Sequence, residues 1–279
     1  MSNVFDARRC VLGEGPLWHP ERQQLFWFDI LSKQLMTREN GKAGSWEFDE
    51  YVSAAGWVSK SELIIASASR LFLFNLDTEA QTKLCDLEAD DPVTRSNDGR
   101  ADPKGGFWIG TMGFNAEQGK GSIYRYYRGE LRRLYSGITI SNAICFAPDG
   151  QTAYFADTAT RSIQQVALDA DGWPGGTPTL FADLSQEGLN PDGAVIDADG
   201  HLWNAQWGAN RVARYAPNGS FVEEIGFTAH QVSCPAFGGA DLSTLFATTA
   251  AEGLDGMVEG QTYFAQTAAV GQPEHRVIL

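Results

Sequence analysis

The sequence of 279 residues predicts an all-β protein that folds as a six-bladed β-propeller. Two observations predict this fold: short apolar strands bounded by tight turns, and a structural unit that recurs along the chain. Residues 24–29, 71–74 and 211–215 are rich in aromatic and branched side chains, and Asp-Gly, Asn-Gly and Pro-Asp-Gly turns separate such runs. No segment shows the apolar spacing of an amphipathic helix of about three turns.

The recurring unit is a polar turn followed by a strand with one bulky anchor residue. The anchors are Trp27, Ile64, Trp108, Tyr154, Trp203 and Phe246, separated by 37, 44, 46, 49 and 43 residues. A period of roughly 40–50 residues with several short strands per unit is typical of a propeller blade. One blade alone leaves the faces of its sheet exposed, whereas a closed ring buries them. We therefore expect residues 1–279 to form a single propeller domain, with a β-sandwich of accidentally similar spacing as the alternative.

The composition excludes several classes of protein. Hydrophobic residues make up 43% of the chain and charged residues 20%, which is enough apolar surface for a folded core. The net charge of −14 argues against a nucleic-acid partner, because proteins that bind nucleic acid present a basic face. No apolar run approaches the roughly 18 residues of a membrane span, and the first residues lack the apolar stretch of a signal peptide. Neither a nucleic acid nor a membrane is expected as a partner.

The cysteines predict a reducing compartment. Cys10, Cys85, Cys145 and Cys234 lie far apart and form no C-x-x-C motif. This pattern favours reduced thiols in the cytoplasm over a disulfide framework or a zinc knuckle. We expect the four side chains to pack as small buried hydrophobes. The sequence carries no signal for an oligomeric state.

The histidines form no catalytic or metal-binding motif. His19, His201, His230 and His275 are scattered, without an H-x-x-x-H or a Ser-His-Asp arrangement. His230 precedes the inner strand of the last unit, so a position at the channel mouth and a position on the surface both remain open. The glycine-rich motifs G-x-x-x-x-G-K-[ST] and G-x-G-x-x-G are absent, which disfavours nucleotide cofactors.

Oxygen-bearing side chains precede four of the anchors at nearly one register. Glu14, Asn97, Asn142 and Asp192 lie eleven to thirteen residues before the anchors of their units, each beside a small residue. Equivalent positions of different blades surround one axis, so we expect these side chains to converge in the channel. Two carboxylates and two carboxamides are hard oxygen ligands, which suit Ca²⁺, Mg²⁺ or Mn²⁺. The alternative is that Asx-Gly and Pro-Asp-Gly serve only as turns.

Eight short motifs, spread in order across nearly the whole chain, resemble those of one protein family. They are Gly13-Glu-Gly-Pro-Leu-Trp18, Arg95-Ser-Asn-Asp-Gly99, Gly110-Thr-Met112, Ser141-Asn142, Tyr154-Phe-Ala-Asp-Thr158, Pro191-Asp-Gly193, Arg211-Val-Ala-Arg-Tyr215 and Phe237-Gly-Gly-Ala-Asp-Leu242. Together they resemble the SMP-30/gluconolactonase/regucalcin-like family of sugar lactonases. Each motif alone is weak, but their order and spacing make the combination specific.

The resemblance implies a central channel that holds one divalent ion (Ca²⁺, Zn²⁺, Mn²⁺ or Mg²⁺). It also implies that the protein hydrolyses an aldono- or aldarolactone to the free acid. By the family pattern Glu14, Asn142 and Asp192 are the metal ligands, and Arg95 and Asn97 bind the small-molecule lactone. The ion would polarise the lactone carbonyl, and we expect Asp192 to act also as the general base. Arg95 would supply hydrogen-bond donors for substrate oxygens or a carboxylate, and Asn97 would orient the substrate or a metal-bound water.

One departure from the family pattern leaves the substrate open. Some members place an acidic substrate contact directly after Gly-Thr-Met, whereas Gly113-Phe-Asn115 follows here and Glu117 comes later. The residue that replaces this contact, and with it the lactone, is not predicted. Two alternatives to lactone hydrolysis remain: another metal-dependent ester or organophosphate hydrolysis at the same site, and a calcium-binding propeller without enzymatic activity. The second needs no polar pocket, so Arg95 and Asn97 weigh against it.

Overall fold

The computed structural model describes residues 2–279, which contain six four-stranded antiparallel sheets. The innermost strands of the six sheets contact one another in ring order around a central channel. This arrangement is the six-bladed β-propeller that the spacing of the anchors predicts, so the predicted fold class is confirmed. Within these residues the only regular helix is a single 3₁₀ turn, Thr158–Thr160.

Blades 1 to 3 follow a short strand, β1 (Asn3–Asp6), and each uses four consecutive strands. Blade 1 contains β2 (Gly13–His19), β3 (Gln24–Asp29), β4 (Gln34–Glu39) and β5 (Lys42–Glu47). Blade 2 contains β6 (Val52–Ser59), β7 (Glu62–Ser67), β8 (Arg70–Asn75) and β9 (Gln81–Asp86). Blade 3 contains β10 (Thr94–Ala101), β11 (Phe107–Gly113), β12 (Gly121–Tyr127) and β13 (Glu130–Ile138).

Blades 4 and 5 repeat this pattern, and blade 6 completes the ring with strands from both ends of the chain. Blade 4 contains β14 (Ser141–Phe146), β15 (Thr152–Asp157), β16 (Ser162–Leu168) and β17 (Pro174–Asp183). Blade 5 contains β18 (Asn190–Ile196), β19 (Leu202–Trp207), β20 (Arg211–Tyr215) and β21 (Phe221–Gly226). Blade 6 contains β22 (Gln231–Gly238), β23 (Thr244–Ala250), β24 (Thr262–Gln266) and β1.

The anchors of the repeat lie on the second strand of each blade, where they fill the space between neighbouring sheets. Trp108 in β11 is fully buried and meets Phe146 of the next blade edge to face, with 5.4 Å between ring centroids. Trp203 in β19 meets Phe237 of blade 6 in the same way at 5.6 Å. Burial of such large rings at each blade junction explains why one bulky residue recurs every 40–50 residues.

Each inner strand contains a β-bulge close to its start. The register of pairing with the second strand shifts in β2, β6, β10, β14, β18 and β22. In β2 the shift follows Glu14, and in β14 it follows Asn142. The next residues, Gly15 and Ala143, have φ values of 52° and 56°. A bulge turns the side chain beside it out of the regular alternation, so these residues can face the channel axis.

The ring is closed by pairing β1 with β24. Asn3 lies opposite Phe264, and Val4 lies opposite Tyr263. Blade 6 therefore depends on residues from both ends of the chain, with β1 as its outermost strand.

The residues after β24 cross the end of the ring at which the inner strands finish. Gln272 Nε2 donates hydrogen bonds to the carbonyls of Phe146 and Ile196, both at 3.1 Å. Arg276 Nε donates to the carbonyl of Val58 at 2.6 Å. The C-terminal segment thus covers one end of the channel and bridges blades 2, 4 and 5.

Three of the four cysteines are buried, as the sequence predicts. All four thiols are free, and Cys10, Cys145 and Cys234 are buried, whereas Cys85 is half-buried. Among residues 2–279, none of the helical structure has the length and apolar character required to span a bilayer.

Candidate functional site

A cavity of about 250 Å³ opens at the end of the ring at which the inner strands begin. Its walls come from the starts of inner strands, the ends of second strands and the loops between them. The lining residues are Leu12, Glu14, Arg95, Asn97, Met112, Ile140, Asn142, Thr158, Asp192, Trp207 and Glu252. The structure therefore brings together all five residues that the sequence singles out as ligands of a metal or a substrate.

These five residues are buried, with exposed fractions of 6% for Glu14, 6% for Arg95, 7% for Asn97, 2% for Asn142 and 5% for Asp192. They come from the inner strands of blades 1, 3, 4 and 5. Because four separate blades supply them, the site exists only in the assembled ring.

The inner strands of blades 2 and 6 carry serines beside their bulges. Ser53 Oγ donates a hydrogen bond to Ser96 Oγ at 2.8 Å, and Ser233 Oγ donates to the carbonyl of Gly13. Both hydroxyls are fully buried and lie outside the cavity lining. They connect adjacent inner strands, so these two blades support the site without lining it.

Arg95 fixes the orientation of the Asn97 carboxamide. Arg95 Nη1 donates to Asn97 Oδ1 at 2.9 Å and to the carbonyl of Ser96 at 2.9 Å. Asn97 Nδ2 donates to the carbonyl of Ser141 at 2.9 Å and to Asn142 Oδ1 at 3.3 Å. Both amide hydrogens of Asn97 are thereby used within the protein, and Oδ1 keeps one lone pair for a ligand.

Thr158 fixes the orientation of the Asn142 carboxamide. Its hydroxyl donates to the carbonyl of Pro191 at 2.7 Å, so its oxygen must accept the hydrogen bond from Asn142 Nδ2 at 2.8 Å. The oxygen of Asn142 is consequently the atom that faces Asn97 and the cavity. The sequence folds this way locally because Asp157 caps the 3₁₀ turn by accepting from Ala159 N, which holds Thr158 at the start of that turn.

Glu14 and Asp192 are buried carboxylates with few partners. Glu14 Oε2 accepts one hydrogen bond, from the backbone N–H of Gly15 at 3.0 Å. Within residues 2–279, no Lys, Arg or His nitrogen lies within 4.0 Å of either carboxylate. Burial, followed by the charge of Asp98, raises the pKa of Glu14 to about 8. Burial, followed by the charges of Glu14 and Asp98, raises the pKa of Asp192 well above its usual value.

A third buried carboxylate, Asp98, lies beside the cavity without lining it. Its Oδ2 accepts a hydrogen bond from the backbone N–H of Ile144 at 2.7 Å. Burial raises the pKa of Asp98 to about 6, although the positive charge of Arg100 opposes this shift. Burial lowers the pKa of Arg95, and the charges of Glu14 and Glu252 oppose that change. The site therefore concentrates more negative than positive charge in a region with little water.

This arrangement fits a divalent cation. In residues 2–279 two buried carboxylates lack a cationic partner, and the oxygen of Asn142 is held toward the cavity by the bond from its amide to Thr158. A cluster of three His, Cys, Asp or Glu side chains suited to a metal does not occur in residues 2–279. A cation at this position would consequently need a carboxamide oxygen in addition to the carboxylates, as Ca²⁺ and Mg²⁺ sites often do.

Two residues that the sequence left open lie outside the cavity. The side chain of His230 is 65% exposed, and its Nδ1 contacts Glu259 Oε1 at 3.1 Å. Glu117 is half-buried and accepts hydrogen bonds from the backbone N–H and the carboxamide of Asn115, both at 3.0 Å. Neither residue lines the cavity.

Besides the five predicted site residues, six cavity residues escape the backward count from the anchors: Met112, Thr158, Trp207, Glu252, Leu12 and Ile140. The first three each lie four residues after the anchor of their blade, so a forward count would have found them. They mark the ends of second strands, which reach the same end of the ring as the starts of the inner strands. Glu252 lies in a loop beyond β23 and follows no repeated spacing.

Comparisons with known proteins point to one family. Residues 12–251 match the family described as SMP-30/Gluconolactonase/LRE-like region. The L-arabinolactonase of Azospirillum brasilense is 34% identical over 284 residues, which are 96% of this chain and 92% of that protein. The 6-deoxy-6-sulfogluconolactonase of Pseudomonas putida is 32% identical over 245 residues, which are 87% of this chain and 84% of that protein. The solved structure of regucalcin from Agrobacterium tumefaciens, a calcium-binding protein, superposes with a TM-score of 0.97 at 38% identity, over 100% of this chain and 98% of its own.

Proposed function

This chain belongs to the SMP-30/gluconolactonase/LRE-like family, and on that premise we propose that it is a metal-dependent lactonase that opens a sugar-acid lactone to the free acid. One observation carries the proposal: the cavity combines two buried carboxylates that lack a cationic partner in residues 2–279 with carboxamides held by hydrogen bonds. Its volume of about 250 Å³ lies below the roughly 300–1,000 Å³ of sites for drug-sized ligands, so it suits one sugar ring.

Glu14, Asn142 and Asp192 are the residues that would hold the ion. Two carboxylates and one carboxamide are hard oxygen donors, which suit Ca²⁺, Mg²⁺ and Mn²⁺, and carboxylates also bind Zn²⁺. Ca²⁺ is the first ion to test, because the solved relative is a calcium-binding protein. When bound, the ion supplies Lewis acidity toward the lactone carbonyl.

Asp192 is the general base in this proposal. A carboxylate has two oxygens, so one oxygen of Asp192 can accept a proton while the other holds the ion. Asp192 takes a proton from a water molecule as the oxygen of that water attacks the carbonyl carbon. The ring C–O bond then breaks, and the ring oxygen receives the proton, which gives the open hydroxy acid.

Arg95 and Asn97 position the substrate. Only Nη1 of Arg95 is hydrogen bonded within residues 2–279, so its remaining N–H groups are free to donate to lactone oxygens. Asn97 has no amide hydrogen to spare, and its Oδ1 can accept a hydrogen bond from a substrate hydroxyl. A polyhydroxylated ring thus meets a donor and an acceptor that are already fixed relative to each other, which lowers the entropic cost of binding.

The test is a pH-indicator assay of acid release over a panel of sugar lactones, with Ca²⁺, Mg²⁺, Mn²⁺ or Zn²⁺ added to chelator-treated protein. We expect at least one ion to support lactone opening, and we expect a chelator to abolish it reversibly. An aryl ester and a phosphotriester are the comparison substrates. If either is cleaved faster than the lactones, the site belongs to an ester or organophosphate hydrolase. If the protein binds metal but turns over none of these substrates, it is a metal-binding propeller without enzymatic activity.

A further inference from the structure

We infer that Glu252 makes the cavity selective for uncharged lactones over lactones that carry an additional anionic group. This inference rests on the proposed lactone hydrolysis and names the class of substrate. The two named relatives leave that class open, since the lactone in one name is uncharged and that in the other bears a sulfonate. The selectivity must therefore come from side chains of this chain that meet the part of the sugar away from the lactone carbonyl.

Glu252 is held at the mouth of the cavity by its backbone. The N–H of the preceding Ala251 donates to the carbonyls of Cys10 and Val11, at 3.2 and 3.1 Å, just before the inner strand β2 begins. The N–H of Leu254 donates to the carbonyl of Ala251 at 3.0 Å, which closes a tight turn around Glu252. Glu252 is exposed, whereas Glu14, Arg95 and Asp192, the other charged residues of the cavity wall, are buried.

Glu252 and Arg95 face the cavity from opposite sides of the ring. Arg95 comes from blade 3 and Glu252 from the loop that follows a strand of blade 6, and these two blades are three positions apart among six. Of the residues that the structure describes, Arg95 is the only basic one in the cavity wall, and the charge of Glu252 acts on it across the space. Within residues 2–279 the carboxylate of Glu252 has no hydrogen-bond or ion-pair partner, so it is available to a ligand.

The charges of the wall explain the selectivity. The two positive charges of a divalent ion would balance the two negative charges of the Glu14 and Asp192 carboxylates. The remaining charges of the wall are the positive charge of Arg95 and the negative charge of Glu252. An uncharged sugar satisfies both, because its hydroxyls accept from the guanidinium and donate to the carboxylate. A carboxylate or sulfonate on the part of the substrate that meets Glu252 would be repelled. Arg9, which contacts this loop, is exposed and already donates to the carbonyl of Leu254.

The experiment compares wild type with Glu252→Gln, which keeps the shape of the side chain and removes its charge. We measure kcat/KM of metal-loaded protein for uncharged L-arabinono-1,4-lactone and for anionic D-glucaro-1,4-lactone. The ratio of anionic to uncharged activity should rise about tenfold, which corresponds to about 1.4 kcal/mol. The rise should shrink as the salt concentration increases, because ions screen a charge at an exposed position.

Glu117→Gln is the matched control, since Glu117 is a half-buried carboxylate outside the cavity. It should leave the activity ratio unchanged. The inference is overturned if Glu252→Gln leaves the ratio unchanged, if Glu117→Gln shifts it equally, or if the shift does not respond to salt. Calorimetric binding of an uncharged aldonolactam and of its carboxylate-bearing counterpart gives the same comparison without turnover. Selective binding without lactone opening would thus support Glu252 while contradicting the proposed hydrolysis.

Discussion

Thr158 provides a test of how the carboxamide of Asn142 is oriented. Thr158→Val keeps the branched shape but removes the hydroxyl that accepts from Asn142 Nδ2 at 2.8 Å and donates to Pro191 at 2.7 Å. Two hydrogen bonds are lost at a half-buried position that water partly reaches, so we expect the free energy of unfolding to fall by about 1–2 kcal/mol. The carboxamide then keeps only the longer bond from Asn97 Nδ2, at 3.3 Å, and affinity for a divalent ion should fall about tenfold, or about 1.4 kcal/mol.

Calorimetric titration with Ca²⁺ or Mn²⁺ measures the affinity, and guanidinium unfolding measures the stability. Thr160→Val is the matched control, because the Thr160 hydroxyl lies in the same turn but is exposed. It should change both quantities by less than about 0.5 kcal/mol. Thr158→Ser keeps a hydroxyl and should recover most of the affinity. The reasoning fails if Thr158→Val binds the ion as tightly as wild type, or if Thr160→Val weakens binding equally.

Three further predictions concern the charged residues of the cavity. Glu14→Gln removes one of two anionic ligands, so metal content after dialysis should fall; unchanged content would place the ion elsewhere. At saturating metal, Asp192→Asn should lower kcat by about 10²–10⁴-fold, whereas Arg95→Ala should chiefly raise KM; near-normal kcat in Asp192→Asn would exclude it as the base. In metal-free protein the pKa of Glu14 is about 8 against an ordinary 4.5, so the unfolded chain loses that proton first. The melting temperature should therefore decrease as the pH rises from about 4.5 to about 8, and Glu14→Gln should make this decrease smaller.

The fold is predictable from sequence because every blade has the same packing requirement, which recurs at a regular interval along the chain. Each blade junction must bury a large side chain, so residues such as Trp108 and Trp203 recur at blade spacing and can be counted without coordinates. The starts of the inner strands follow at a nearly constant distance, and this spacing leads directly to Glu14, Asn142 and Asp192. In such a repeat, residues one unit apart in sequence occupy equivalent positions in neighbouring blades around the axis.

Features that break the repeat are not predictable in this way. Glu252 reaches the cavity through a loop whose position depends on backbone hydrogen bonds to Cys10 and Val11, about 240 residues earlier in the chain. The strand β1 and the C-terminal segment also act through distant partners. The role of Thr158 is a further case, since its hydroxyl matters only because the carbonyl of Pro191 in the next blade lies within 2.7 Å.

The C-terminal segment leaves the channel with a single usable opening. Because Gln272 and its neighbours cover the far end, a lactone must arrive, and its acid must depart, through the same mouth. The lactone and the acid therefore cannot pass each other, so the acid must leave before the next lactone can bind. Ring opening creates a negative charge that the uncharged lactone lacks. The carboxylate of Glu252 at the rim then opposes the departing acid but not the incoming lactone, so the product must pass a negative charge that the substrate does not feel on entry.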